Sequence, residues 1–342
     1  MTNRLSGPLE DVAGDAGHRD HPARVGFFTD TSVCIGCKAC EVACKEWNAV
    51  PDDGFDLLGM SMDNSGMLGA NTWRHVAFIE QARPLGAQQP GLDGLPTGPS
   101  GLPATDSAVA RRLQGAPRGG SELGTSPLPD DAVPVDLGMP AFAADTGSRT
   151  DLRWLMASDV CKHCTHAGCL DVCPTGALFR TEFGTVVVQQ DVCNGCGYCV
   201  SACPYGVIDR RPNDGRAQKC TLCYDRLGDG LEPACAKACP TQSIQFGPLD
   251  ELRERADRRL AQLHGLGVGE ARLYGRDPDD GVGGDGAFFL LLDEPEVYGL
   301  PPDPHVPTRD AKSMWRRAAA AAGAFTLAGI GAFVSAALAG RR

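Results

Sequence analysis

The sequence has few aromatic residues, and its basic residues do not outnumber its acidic ones. Phe, Trp and Tyr make up 6% of the 342 residues, and 32 Lys and Arg stand against 43 Asp and Glu, for a formal net charge of −11. A nucleic-acid-binding surface needs clustered Lys and Arg, so we expect no nucleic-acid partner. The length is enough for roughly two domains with a buried core.

Several common site patterns are also missing. No basic segment followed by an apolar one opens the chain, so no signal peptide is visible. The glycine run 265–269 follows no strand of the dinucleotide-binding type. The stretch 277–280 has Phe288 where a calcium-binding loop requires Glu. No nucleophile–base pattern appears, so the chain has no evident catalytic site of its own.

What the sequence has in abundance is cysteine, in four groups of four with none left over. A disulfide framework is disfavoured, because neighbours two residues apart are poor partners and disulfide-dense domains are usually short and secreted. Groups of four are instead typical of metal sites. The groups are Cys34, Cys37, Cys40 and Cys44; Cys161, Cys164, Cys169 and Cys173; Cys193, Cys196, Cys199 and Cys203; and Cys220, Cys223, Cys235 and Cys239.

The spacing within the groups is that of bacterial ferredoxins. The first and third groups read C-x2-C-x2-C-x3-C, in which the fourth Cys binds the neighbouring cluster. The second and fourth groups widen only the gap between the second and third cysteines. We therefore expect four [4Fe–4S] clusters with all sixteen cysteines as ligands, and an electron-transfer protein rather than a catalyst. His163 and His166, inside the second group, are not needed as ligands.

A zinc-binding structural protein is the alternative from a different functional class. Zinc ribbons and knuckles also contain C-x2-C pairs. Two pairs complete a zinc site, however, which leaves the third Cys and the x3-Cys ending of every group without an explanation. The colour of the protein separates the two, since iron–sulfur proteins are brown and zinc proteins are colourless.

Composition divides the chain into six segments. Residues 81–150 contain 10 Pro and 11 Gly, which is typical of a disordered insertion or a long surface loop. Short strands are expected over 71–79 and 243–246, a β-hairpin over 177–188, and a packing helix over 248–264. The segments are 1–25, a disordered N-terminal tail; 26–80, the first cluster-binding segment; 81–150, the insertion; 151–247, the cluster-binding core; 248–317, a packing helix and extended tail; and 318–340, a transmembrane helix.

The segment 318–340 carries no charge and is long enough to cross a bilayer. Trp315 and basic residues precede it, and Arg341 and Arg342 follow it, as expected at two membrane interfaces. We therefore predict an α+β fold: two tandem bacterial ferredoxin-like two-cluster modules with short β-hairpins and helices, plus a C-terminal transmembrane helix. Its many small residues allow another membrane helix to pack closely against it.

The chain resembles the iron–sulfur subunits of membrane molybdenum and tungsten oxidoreductases, and within them the β subunit of respiratory formate dehydrogenase. The stretches that carry the resemblance are 37–48 (CKACEVACKEWN), 193–199, 219–226 (KCTLCYDR), 232–241, 281–284 and 298–304. It covers roughly 26–80 and 151–340, and the insertion 81–150 is longer than the usual connection.

The resemblance, rather than the spacing, implies which groups pair. It implies partners too: a catalytic α subunit with a molybdenum or tungsten pterin cofactor that oxidises formate, and a membrane γ subunit with cytochrome b and a quinone site. The implied ligand sets are Cys34, Cys37, Cys40 and Cys239; Cys220, Cys223, Cys235 and Cys44; Cys161, Cys164, Cys169 and Cys203; and Cys193, Cys196, Cys199 and Cys173.

The same electron relay could serve another oxidoreductase, such as a dimethyl sulfoxide, nitrate or polysulfide reductase or a hydrogenase. Shorter relatives of those reductases generally lack the anchored tail. We expect a single-pass protein of the cell membrane with the lipid bilayer as a partner. In relatives the cluster domain often faces the cell envelope, but three basic residues before the span against two after it do not decide the side.

Overall fold

The computed structural model describes residues 9, 11–54, 62–63, 65–81 and 153–339. The expected insertion at 81–150 lies outside the described residues except for Gln81. The described residues up to 80 and from 154 onward belong to one compact unit. Helices and strands are both present, as the α+β prediction requires.

The described elements are short, apart from two helices. The strands are β1 (Val25–Asp30), β2 (Arg74–Gln81), β3 (Arg153–Val160), β4 (Leu178–Arg180), β5 (Val186–Val188), β6 (Asp209–Arg210), β7 (Ala217–Gln218), β8 (Ile244–Pro248), β9 (Arg272–Tyr274) and β10 (Ala287–Leu291). The helices are α1 (Ala39–Trp47), α2 (Gly168–Asp171), α3 (Tyr198–Ser201), α4 (Tyr224–Gly228), α5 (Ala234–Lys237), α6 (Leu249–Gly265) and α7 (Ala311–Ala339).

A four-stranded sheet in the order β8-β1-β10-β9 joins distant parts of the chain. β1 is parallel to β10, with Phe28 opposite Phe288, and antiparallel to β8. Both central strands read as nearly continuous apolar runs because both of their faces are covered. Phe28 and Phe288 pack under α6, whereas Phe27 and Ala287 pack with buried cysteines. The sheet therefore separates a helical layer from a cysteine-rich layer.

The packing helix is confirmed as α6, which runs from Leu249 to Gly265. Leu252 and Ala256 are fully buried against the sheet, as their spacing of four predicts. Asp250 and Glu251 occupy the first turn, where they complement the helix dipole.

Three two-stranded sheets complete the strand pairing of the described residues. β4 and β5 form the expected hairpin, with Phe179 opposite Val187. β6 pairs with β7 in the same antiparallel manner. The expected strand over 71–79 is β2, which pairs with β3 on the far side of the insertion. The strand expected over 243–246 is β8.

The N-terminal segment differs from its expectation where the structure describes it. The sequence predicts a disordered tail over 1–25, but Val12 and Ala13 are buried and His18 Nε2 lies 3.0 Å from the carbonyl oxygen of Arg180. Arg180 lies far along the chain from His18. A prediction from the local composition of this Gly- and Asp-rich segment does not anticipate such a contact.

The last described element, α7, contains the apolar segment. Its stretch Ser313–Ala336 is 24 residues long with a mean hydropathy of 1.7, and none of it is buried. By length and composition it is a candidate membrane span. The predicted span, 318–340, begins and ends a few residues later than Ser313–Ala336. The prediction counted only the charge-free segment, whereas the helix begins earlier.

Candidate iron–sulfur site

Two of the four ligand sets implied by the resemblance each line one cavity. The loop before α1 and the first turn of that helix bring three cysteines toward Cys239, and we call these four quartet A. The loop before α2, the start of that helix and Cys203 line a second cavity, and we call these four quartet C. Quartet A is Cys34, Cys37, Cys40 and Cys239; quartet C is Cys161, Cys164, Cys169 and Cys203.

The other two sets are close enough for their sulfurs to influence one another electrostatically. The thiol of Cys44 has Cys220, Cys223 and Cys235 among its charged neighbours, and these four are quartet B. Cys199 has Cys173, Cys193 and Cys196 as neighbours, and these four are quartet D. Each quartet combines three cysteines of one group with the fourth cysteine of another.

The four quartets follow one another in a row. Cys40 of quartet A influences Cys235 of quartet B. Cys220 of quartet B influences Cys161 of quartet C, and Cys169 of quartet C influences Cys199 of quartet D. Each end of the row has an exposed cysteine, Cys37 at one end and Cys196 at the other. The order is therefore A, B, C, D, with A and D nearest the surface.

Burial keeps most of these thiols protonated when no metal is bound. It raises the pKa of Cys40 to about 11 and that of Cys220 to about 12. The neighbouring sulfurs act in the same direction at Cys220. Only the thiolate is a metal ligand, so loading these quartets must release protons.

Hydrogen bonds already point at several sulfurs. Backbone amides of Leu222 and Ala217 donate to Cys220 at 3.3 Å and to Cys193 at 3.4 Å. Asn48, at the end of α1, donates at 3.8 Å to Cys44 and to Cys223 of the same quartet. Hydrogen bonds to sulfur are a main determinant of cluster potential, so these donors suit a redox site.

The cysteine loops depend on glycine at matching positions. Gly36 precedes Cys37 with φ of +63°, and Gly195 precedes Cys196 with φ of +73°. Both values lie in the left-handed region, which glycine adopts without strain. These glycines therefore allow the tight loops that carry Cys37 and Cys196.

Sequence reasoning missed three cations near the quartets whose side chains are almost completely buried. Arg74, Lys162 and Lys219 are among the largest fully buried side chains. Lys162 pairs with Asp159, and Lys219 donates to the carbonyl oxygens of Val186 and Cys220. Arg74 is the first residue of β2 and is followed by His75, so the local sequence gave no signal that it would be buried.

His163 and His166 are both buried beside quartet C. His163 Nδ1 accepts a hydrogen bond from the amide of Val186 at 3.1 Å. Burial lowers the pKa of both imidazoles. His163 therefore acts as a neutral hydrogen-bonding group in the core.

The quartets fit a cluster better than a single ion. Within the described residues, no three Cys, His, Asp or Glu side chains are placed to hold one metal ion. A zinc ion brings its sulfurs to about 2.3 Å from one centre. A cubane instead holds each sulfur on a separate iron, which spreads the ligands apart. No group of side chains among the described residues is thus arranged around a single zinc ion.

Two family profiles match the cysteine-containing segments. The profile described as 4Fe-4S dicluster domain matches residues 152–249. The profile described as 4Fe-4S binding domain matches residues 31–47. Together they include all four cysteine groups, and both name the same cluster type.

Curated relatives match most of the chain. The iron–sulfur subunit of nitrate-inducible formate dehydrogenase of Escherichia coli is 34% identical over 304 residues, covering 88% of this chain and 79% of the relative. The formate dehydrogenase iron–sulfur subunit of Haemophilus influenzae is 34% identical, with 84% and 72% covered. The B subunit of the anaerobic dimethyl sulfoxide reductase of E. coli is 47% identical, but over 67% of this chain and 76% of the relative.

These matches agree with the chemistry of the quartets. The chain carries [4Fe–4S] clusters, and its sixteen cysteines are the number that four clusters require. Each cluster supplies one-electron redox chemistry. The protein residues supply the ligands, the hydrogen bonds to sulfur and the burial that adjust it.

Proposed function

The chain belongs to the family of formate dehydrogenase iron–sulfur subunits, which transfer electrons, and on that premise we propose that it relays electrons from formate through quartets A, B, C and D to the membrane. The observation that carries the proposal is the row of four all-cysteine quartets with one exposed end on each side. Each quartet binds one [4Fe–4S] cluster through its four thiolates.

The proposed fold is two ferredoxin-like modules, each holding two clusters. Quartets A and B exchange their fourth ligands, Cys239 and Cys44, and quartets C and D exchange Cys203 and Cys173. This exchange is the ferredoxin rule. It is supported by the mixed composition of every quartet. The six segment boundaries predicted from composition remain part of this proposal.

Electrons enter at quartet A and leave at quartet D. A short turn before α7 supports this direction, because Thr308 in that turn donates to Asp171 Oδ2 at 2.5 Å. Asp171 is the last residue of α2, and it lies in the chain between Cys169 of quartet C, in the same helix, and Cys173 of quartet D. The base of the candidate span is thus attached beside the C and D end of the row.

The partners follow from the two ends. A catalytic subunit with a molybdenum or tungsten pterin cofactor oxidises formate and docks near quartet A, where Ile35 and Val42 are exposed. A membrane subunit with cytochrome b and a quinone site receives electrons near quartet D. The helix α7 crosses the bilayer once and packs against that subunit through its small residues.

The complex, purified without oxygen through a tag on this chain, tests the proposal. Formate should bleach the broad visible absorption of the clusters, and dithionite should add little further bleaching. A brown complex that retains its catalytic subunit and bleaches with dithionite but not with formate would contradict the formate assignment. A colourless protein would contradict the clusters.

Relay to a dimethyl sulfoxide reductase is the second candidate, favoured by the 47% identity to the B subunit of that enzyme. The alignment covers less of this chain than those with the formate dehydrogenase subunits. Reoxidation of the dithionite-reduced complex by dimethyl sulfoxide, with no response to formate, would select this candidate.

A further inference from the structure

A buried arginine joins a ligand of quartet A to a ligand of quartet B. Arg74 is 2% exposed. Its Nη2 donates to Cys235 Sγ of quartet B at 3.2 Å. Its Nη1 donates to the carbonyl oxygen and to the hydroxyl oxygen of Ser158, each at 3.2 Å. The Ser158 hydroxyl is in turn 3.2 Å from Cys40 Sγ of quartet A.

The direction of these hydrogen bonds is fixed once the cysteines bind iron. A guanidinium group can only donate, so the Ser158 oxygen accepts from Arg74. A thiolate can only accept, so the Ser158 proton points to Cys40. Positive charge is thereby directed straight at quartet B and, through one hydroxyl group, at quartet A.

Arg74 keeps its charge in this position. Burial opposes the charged form, but the sulfurs of Cys235 and Cys40 outweigh it and hold the pKa of Arg74 above its ordinary value. The ring of Phe27 lies 4.9 Å from the guanidinium carbon, a favourable cation–π distance. Among the described residues, Nε has no hydrogen-bond partner, so one further donor is free for the site.

The other two buried cations are differently placed. Lys162 is paired with the carboxylate of Asp159, which largely cancels its charge. Lys219 donates to backbone carbonyl oxygens and lines the cavity of quartet C. The polar contacts of Arg74 with described residues are a serine and a cysteine, and neither is a carboxylate. Its positive charge is therefore balanced by the cluster ligands themselves.

We propose that Arg74, with Ser158, raises the reduction potentials of the clusters at quartets A and B, and most strongly that at B. Reduction adds one electron, and hence one negative charge, to a cluster, and a fixed positive charge in a low-dielectric interior favours that form. The cluster at B receives its electron from that at A, the cluster at A receives its electron from the catalytic subunit that docks there, and no atom is transferred. Arg74 thus acts as a positioning residue that sets where electrons reside.

This inference rests on the proposed cluster ligands but not on formate as the substrate. The test is an anaerobic redox titration of the whole complex, followed by electron paramagnetic resonance. Four one-electron transitions in the unaltered complex establish the clusters first, so a failure of the proposed function is recognised before any variant is made.

Three variants isolate the role of Arg74. In Arg74→Gln, we expect one cluster to show at least a tenfold fall in its reduced-to-oxidised ratio at fixed potential, which is about 59 mV for a one-electron couple. A second cluster should shift less. Arg74→Lys should retain most of the unaltered values because it keeps the charge. Arg276→Gln, which removes a surface charge paired with Asp257, should shift none.

Ser158→Ala keeps the charge and removes only the hydroxyl link to Cys40. We expect it to lower the reduction potential of the cluster at A, which is the cluster that shifts less in Arg74→Gln. If Arg74→Gln fails to assemble, Ser158→Ala alone decides, and an unchanged titration then overturns the proposal. The proposal is also overturned if Arg74→Gln changes the reduced-to-oxidised ratio of every cluster by less than about threefold, roughly 30 mV. Equal shifts in Arg74→Lys and Arg74→Gln would overturn it as well.

Discussion

Quartets A and D are built on the same spacing, yet their surroundings differ. Quartet A lies in the cysteine-rich layer under the four-stranded sheet, and its Cys40 is linked through Ser158 to a buried arginine. Quartet D lies among α2, α3 and two small hairpins, and the charged groups around its Cys199 are its own sulfurs. The ligand motif therefore specifies the type of cluster, whereas residues outside the motif set its electrostatic environment.

We expect the largest effect when a cysteine ligand in the middle of the row is replaced, compared with replacing one at its end. Cys235→Ala removes a buried ligand of quartet B. We expect it to abolish the cluster at B and to confine formate-driven reduction to quartet A. It should also destabilise the core, because cluster binding contributes directly to folding.

Cys196→Ala is the matched variant, since it removes an exposed ligand of quartet D. Formate should still reduce the clusters at A, B and C. Low-temperature electron paramagnetic resonance after addition of formate counts the reduced clusters in each variant. Equal counts in the two variants would contradict the order of the row.

A smaller effect compares the glycines that precede the exposed cysteines of A and D. Each alanine substitution costs about 1 kcal/mol from the left-handed backbone alone. At Gly195 the new Cβ would lie 2.6 Å from the carbonyl oxygen of Gly215, which is backbone. At Gly36 it would meet the side chains of Met156 and Phe78 at 2.5 and 2.6 Å. Side chains can shift more readily than a backbone carbonyl, so we expect Gly195→Ala to be the more destabilising.

Thermal unfolding of the two variants under anaerobic conditions measures this difference, with cluster absorbance as the probe. Gly206→Ala is a suitable control, because Gly206 has φ of +64° but its added Cβ would meet no atom within 4 Å. Gly206→Ala should therefore lower the unfolding midpoint only by the amount that the left-handed backbone costs. A lower midpoint for Gly36→Ala than for Gly195→Ala would reverse the comparison.

The smallest expected effect concerns the cluster next to D. Lys219 lines the cavity of quartet C, where burial raises the pKa of Cys169 and the charge of Lys219 opposes that rise. Lys219→Met should lower the reduced fraction of the cluster at C by about threefold at fixed potential, roughly 30 mV, and leave D unchanged. The same redox titration checks it, and an equal shift at D would show that the lysine acts on the whole end of the row.

The sequence was sufficient for the features that depend on local spacing. The hairpin over 177–188, the helix α6 and the apolar helix α7 follow from periodicity and turn residues. The four cysteine groups and the cluster type follow from ligand spacing. These features can be predicted because each is determined by residues close together in the chain.

What the sequence did not reveal depends on contacts between distant residues. The parallel pairing of β1 with β10 joins positions near opposite ends of the cluster domain. The link from Cys235 through Arg74 and Ser158 combines residues from three separate segments. The segment that contains Val12 likewise has a distant contact, since His18 Nε2 lies 3.0 Å from the carbonyl oxygen of Arg180. No local pattern specifies these contacts, because they arise only when the sheet and the loops assemble.

The proposed exchange of fourth ligands has a consequence for biosynthesis. Quartets C and D draw all their cysteines from residues 161–203, a single stretch of the chain. Quartet A needs Cys34 together with Cys239, and quartet B needs Cys44 together with Cys235. A chain emerging from the ribosome can therefore complete C and D while A and B still lack ligands. The end of the row that receives electrons first is, on this view, the last to be finished.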